Sequence, residues 1–281
     1  MRPSSPLAAL LQQPPVALAI GGSDSGGGAG IQADLKTFAL LRVHGCCALT
    51  CVTAQNTLGV HRVDALSPAS LAAQIDAVFA DLPVAALKTG MLLRSDLIVA
   101  TAAAIAARPV PRLIDPVMVS RAGSVLLEPE AIEAITRLLL PLADLLTPNL
   151  REAALLAGLT IESERDVEEA AERIAGLGPK AVLIKGGGLQ SLRGSDWFLD
   201  EKGGRWLRGP AVDTPHTHGS GCTLAAAITA GLASGLSLAV AIDQARRYVR
   251  AGLVHSLAIG AGQGPLCHWH PLLGPGSDST A

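Results

Sequence analysis

From residue 16 to residue 185 the chain alternates short apolar runs with stretches of helical periodicity, and this alternation restricts the fold more than any other feature. Apolar runs at 16–20, 46–53, 84–88, 112–114, 144–146 and 181–185 have the length and composition of strands, and they stop at glycine, proline or small polar residues. Helices are expected at 31–41, 71–79, 97–107, 129–139 and, as a charged amphipathic stretch, at 164–176; in the first, Ile31, Leu35 and Phe38 share one face. Parallel strands need long crossovers, which helices supply. The expected fold is therefore α/β, with a mostly parallel central sheet flanked by helices on both faces. Residues 60–66 read as a short extra strand, 196–200 and 205–207 as a hairpin around 201–204, and 222–233 and 238–257 as closing helices.

Hydrophobic residues make up 49% of the 281, but only three Trp, three Phe and one Tyr are aromatic, so Ala, Leu, Val and Ile must build the core. No compositional break marks a second domain. One domain over 16–270 is expected, with flexible tails at 1–15 and 271–281. A net charge of -2, with no basic cluster interleaved with aromatics, argues against nucleic acid as a partner. No apolar stretch is long enough to span a bilayer and no signal segment opens the chain, so a cytoplasmic protein without a membrane partner is expected. The five cysteines form no C-x-x-C pair, which fits reduced thiols, and Cys267-His268-Trp269-His270 reads as a packed tail rather than a metal site.

The strand exits carry the candidate chemistry. Residues 21–30 hold six glycines with Ser23, Asp24 and Ser25, in a spacing that matches neither G-x-G-x-x-G nor G-x-x-x-x-G-K-[ST]. Dinucleotide oxidoreductases and Walker nucleotide sites are thereby disfavoured, leaving a loop that closes over a substrate. Gln55 and Asn56 either read a polar heterocycle or form a solvated turn; Met91 and Met118 are either core or an apolar wall for a flat ring. Asn149 and Glu152 either hold a hydrated Mg2+ or form a helix N-cap with its capping-box partner. Lys185 precedes three glycines and suits a phosphate. Finally, Thr217-His218-Gly219-Ser220-Gly221-Cys222-Thr223 runs into an apolar helix, whose exposed N–H groups suit an anion and whose dipole would lower the Cys222 pKa. A close-packed turn around a small buried cysteine fits the same residues.

In this order, GGSDSGGGAGIQADLKTF, VTAQNTLGV, KTGML, DPVM, LLTPNLREA, KGG and THGSGCT make residues 17–270 resemble the hydroxymethylpyrimidine and phosphomethylpyrimidine kinases of thiamine biosynthesis, in the ribokinase-like superfamily. The resemblance implies that ATP phosphorylates the hydroxymethyl oxygen of an aminopyrimidine and then the resulting monophosphate. It assigns Gly22, Ala29, Asp34, Gln55, Met91 and Val117 to the pyrimidine, and Lys185, Asn149 and Thr217 to the nucleotide side. Glu152 would act on Mg2+ through water, the Gly219, Ser220, Gly221 and Cys222 amides would form the anion hole, and Cys222 would be the base. Superfamily resemblance also favours a homodimer. Pyridoxal or pyridoxine kinase is the alternative on the same scaffold. A pyrimidine-binding regulator is disfavoured because binding alone does not require Lys185, Glu152 and Cys222 together. The chain departs from the family pattern at His216, commonly Asn, and at Arg121, often Lys.

Overall fold

The computed structural model describes residues 13–118 and 128–273; Arg121 and most of the two expected tails lie outside them. Strands β1 (Val16–Asp24), β2 (His44–Asn56), β3 (Gly59–Ala65), β4 (Val84–Thr89), β5 (Arg112–Ile114), β6 (Leu145–Leu146), β7 (Val182–Lys185), β8 (Asp196–Asp200) and β9 (Gly203–Leu207) form one sheet. Its order is β3-β2-β1-β4-β5-β6-β7-β8-β9. The six strands from β2 to β7 in that order are parallel, and β3, β8 and β9 add antiparallel margins.

Both faces are covered, which is why β1 reads as unbroken VALAI rather than as an apolar-polar alternation. Val16, Leu18 and Ile20 join a core with helices α2 (Pro68–Asp81), α3 (Ser95–Ala106), α4 (Pro129–Ala134), α5 (Leu150–Ala157) and α6 (Glu164–Ala175). Ala17 and Ala19 face α1 (Gly30–Leu40) and α7 (Ser220–Ala233), and α8 (Leu238–Val254) packs on α7 through Ile242 and Ala245. The alanines let α1 and α7 approach the sheet closely.

Several elements differ from expectation: β1 runs through Gly21 and Gly22 to Asp24 instead of stopping at Ile20, and β2 spans His44–Asn56 rather than 46–53, so that Gln55 and Asn56 close the strand. The helix expected through 139 changes at Ile135–Leu139 to a π turn and then to a 3-10 turn at Leu140–Leu142, where Pro141 lacks an amide hydrogen to continue the ladder. Gly203 and Gly204 belong to β9, leaving Glu201 and Lys202 as the turn. Helix α8 stops at Val254, short of 257.

Candidate active site

The chain runs from β1 to β2 on one side and returns to β4 on the other, so strand order switches at β1. In open α/β sheets the crevice beyond such strand ends takes the ligand. Gly22 lies at the end of β1, and Gly90 follows β4, its N–H bonded to Ile20 O at 2.7 Å. A Cβ at Gly22 would stand 2.8 Å from both Cys51 Sγ and Met91 Cε, so glycine leaves room against a sulfur-lined wall. The Thr50 hydroxyl fixes Met91 by donating to its carbonyl at 2.8 Å. Val117 is half-buried beyond β5, whereas Met118 is fully buried, a core residue rather than a second wall.

Two ion pairs accompany this wall, one buried on both sides and one whose lysine is only half-buried. Lys88, near the end of apolar β4, binds Asp34 at 2.7 Å with neither side chain more than 2% exposed. Burial raises the Asp34 pKa to about 6, Lys88 opposing the rise, so its carboxylate is ionised at neutral pH and already held by an ammonium. Burial alone would pull Lys88 down, but Asp34, Cys222 and Asp115 together raise it. The second pair joins Lys185 to Asp115 at 2.9 Å, and Thr147 adds a bond to the same carboxylate at 3.2 Å. Burial again opposes the Lys185 charge, and Asp115 and Glu152 outweigh it.

Asn149 and Glu152 form the complete capping box of α5. Asn149 Oδ1 accepts from the Arg151 and Glu152 amides, and Glu152 Oε2 accepts from the Asn149 amide at 2.8 Å. Glu152 Oε1 also accepts from Met118 N–H at 3.2 Å, tying α5 to the DPVM loop. Burial pushes the Glu152 carboxyl up, only partly offset by Lys185. The described residues hold no cluster of three or more His, Cys, Asp and Glu suited to a metal ion.

The two glycine-rich loops meet. Gly219 has φ 78° and is buried against Gly28, whose carbonyl a Cβ at 219 would strike. Asp24 ties the contact together: its carboxylate accepts from the Gly26, Gly28 and Ala29 amides and lies 3.1 Å from His218 Nε2. Burial alone would raise Asp24, but His218 and these amides outweigh it and hold the carboxyl below its ordinary range. His218 Nε2 also lies 3.4 Å from Gln55 Nε2, bringing the β2 exit to the same point.

Two expectations for 217–223 need correction. The Cys222 thiol is raised, not lowered: burial dominates, Asp34 and Asp115 add to it, and neither Lys88 nor the Gly30 amide restores the ordinary value. The Ser220 amide is spent on Thr217 O at 3.2 Å, so the open first-turn donors are those of Gly219, Gly221 and Cys222. Gly221 faces Lys185, whose Nζ is 3.5 Å from the position of an added Cβ.

Residues 24–267 match the family model described as Phosphomethylpyrimidine kinase. The chain belongs to this family. It is 59% identical over 259 residues to the hydroxymethylpyrimidine/phosphomethylpyrimidine kinase of Synechococcus elongatus, covering 92% of this chain and 98% of that one. Among solved structures, a phosphomethylpyrimidine kinase from Clostridium difficile is similar at TM-score 0.75 and 38% identity, covering 84% of this chain and 97% of that one. An ADP complex of Bacillus subtilis pyridoxal kinase is similar at TM-score 0.85 and 38% identity, covering 92% and 99% respectively. Membership of a kinase family with nucleotide-bound members implies use of ATP.

Set in this kinase family, the sequence-derived residues fall into three groups. Gly22, Gln55 and Met91 gather at the β1 switch point, while Asp34, Cys222, Lys185, Glu152 and Asn149 adjoin the buried charges. Ala29 contributes its amide to Asp24. The pairings of Lys88 with Asp34, Asp115 with Lys185 and Asp24 with His218 were missed, although Lys88 left a trace: a charged residue inside the apolar strand VAALKT must find a buried partner.

Proposed function

We propose that the chain transfers the γ-phosphoryl group of ATP to the hydroxymethyl oxygen of 4-amino-5-hydroxymethyl-2-methylpyrimidine, and then to the monophosphate, giving the pyrophosphate used in thiamine biosynthesis. The observation that carries this reading is the meeting of the 217–223 loop, with Gly219 on Gly28 and Gly221 facing Lys185, beside the Gly22–Met91 wall. In the first step the bond from γ-phosphorus to ADP breaks as the bond to the alcohol oxygen forms, and the alcohol proton passes to the Cys222 thiolate. The amides of Gly219, Gly221 and Cys222, with Lys185, face the charge on the transferred group. Gln55, Met91, Val117 and the neighbourhood of Asp34 receive the ring.

Bound Mg2+ would neutralise phosphate charge. Glu152 and Asp115 fit it through water, because their carboxylates are already engaged by amides, Thr147 and Lys185 yet keep lone pairs. All five cysteines are free, as suits a reducing, cytoplasmic setting, and no described helix is long and apolar enough to cross a membrane. A homodimer over the β3 edge fits the exposed Leu58, Val60 and Val63; light scattering that finds only monomer at micromolar concentration overturns that part.

The deciding experiment supplies the pyrimidine alcohol with Mg-ATP and follows monophosphate and pyrophosphate over time. Both should accumulate in sequence. The similarity to the Bacillus subtilis pyridoxal kinase keeps a second reading, and phosphorylation of pyridoxal alone would replace the first.

A further inference from the structure

The glycine-alternating stretch Gly260-Ala261-Gly262-Gln263-Gly264 and the Cys267–His270 run have no part in the chemistry above, yet they lie against it. At one end, Gly262 N–H donates to Thr57 Oγ1 at 3.2 Å and Gln263 N–H to Thr57 O at 3.1 Å, two residues beyond Gln55. Next, Gly264 O accepts from His218 N–H at 3.1 Å, and His218 O accepts from Leu266 N–H at 3.3 Å. Gly264 N–H donates to His216 Nδ1 at 3.0 Å. A Cβ at Gly264 would strike the Leu257 carbonyl, so the backbone can reach His216 only as glycine. Further on, His268 Nε2 lies 3.0 Å from the hydroxyl of Thr223, the residue after Cys222, with His268 2% exposed and Thr223 fully buried. The C-terminal segment thus holds the 216–223 loop at its start, middle and end, while its other side is bonded to the turn that follows Gln55.

We propose that residues 262–268 are a strap that positions the 216–223 loop for phosphoryl transfer, with His216 and His268 as its positioning residues. Donors aimed at a transferring group work only when they are held in place before the reaction, and small displacements cost large factors in rate. Gly219 cannot take up slack, since it is pressed on Gly28, so the loop's remaining freedom is set by its two ends. His216 acts through an unprotonated Nδ1, because its partner is an N–H group. An asparagine places Oδ1 at the same distance from its backbone and accepts the same bond, which gives a physical reason for His216 to stand where the family resemblance expects Asn.

The proposal rests on the kinase reading for its kinetic test only. The full-length wild-type chain, His216→Asn and His216→Phe are compared in turnover of the pyrimidine alcohol with Mg-ATP and in amide hydrogen exchange. His216→Phe keeps a ring and loses the acceptor; its kcat should fall about tenfold or more with little change in pyrimidine KM, and exchange across 217–223 should quicken. His216→Asn should recover both. Wild-type kcat in His216→Phe, or a loss that His216→Asn does not recover, overturns the proposal. If no variant turns over, the kinase reading has failed, and exchange still decides: protection of 217–223 unchanged in His216→Phe overturns the strap. Should His216→Phe not fold, the wild-type chain suffices. The amides of 217–223 and 262–266 should then lose protection together as denaturant is added, and loss in separate steps is the contrary result.

Discussion

Cys222 feels opposing forces on its proton. Burial and the Asp34 and Asp115 carboxylates disfavour a thiolate, whereas Lys88 and the Gly30 amide favour one, and the first set prevails. The resting thiol is therefore mostly protonated at neutral pH, and a base role makes the rate follow the small ionised fraction. Between pH 7 and 8, kcat should rise close to tenfold, and Cys222→Ala should abolish the rise and lower kcat sharply at little change in pyrimidine affinity. A flat wild-type profile would reduce Cys222 to a pocket-shaping residue. The Asp34–Lys88 pair offers a second test at this scale. Each single change, Asp34→Asn or Lys88→Met, leaves a buried polar partner uncompensated and should cost about 3–5 kcal/mol in urea unfolding. The double variant should cost clearly less than the sum, since it leaves no orphaned charge; additive losses would mean that the two groups act independently.

Helices α5 and α6 begin with the same device at different places. Asn149 with Glu152 caps α5 inside the site, and Ser163 with Asp166 caps α6 at the surface. Ser163→Ala and Asn149→Ala should each cost about 0.5–2 kcal/mol of stability, measured by denaturant titration. Only Asn149→Ala should also lower kcat, because it removes the Oδ1 that fixes the Arg151 and Glu152 amides and so loosens the first turn carrying Glu152, whose carboxylate links α5 to Met118. Equal kcat in both variants would confine Asn149 to capping. In the sequence, the N-x-x-E spacing left ion holding and capping open, since both require a carboxylate one helical turn beyond an amide. The element boundaries were legible at β5 and β7, whose apolar runs end at Asp115-Pro116 and at the glycines after Lys185, but not at β1, which continues through Gly21 and Gly22 to Asp24. They were illegible at 135–142, where a leucine-rich helical pattern continues through the π and 3-10 turns and only Pro141 marks the irregularity.

Across the whole molecule, the parallel sheet could be read from alternation because two buried faces leave few residue types for β1, β4 and β7. The antiparallel edge β3 is exposed throughout and was visible as a short extra strand only. What could not be read was contact between distant segments: Asp34 with Lys88, Asp24 with His218, and the 262–268 segment with the 216–223 loop join residues 54, 194 and about 50 positions apart, and no local pattern records them. The buried His268 makes such a contact measurable in global stability. Burial, with smaller pushes from Lys36 and His270, lowers its pKa to about 4, against about 6.5 for an unfolded histidine. Between these values the unfolded chain binds the extra proton, so this contribution is complete above pH 6.5 and is lost as pH falls toward 4. Asp34, raised to about 6, acts in the opposite sense over much of that interval and flattens the wild-type profile. His268→Gln lacks the histidine contribution alone. Its stability deficit in urea unfolding should be largest at pH 7, shrink by up to about 3 kcal/mol toward pH 4, and leave the Asp34 slope exposed as stability that declines with rising pH. A deficit independent of pH would mean that the His268 ring is not held neutral against Thr223.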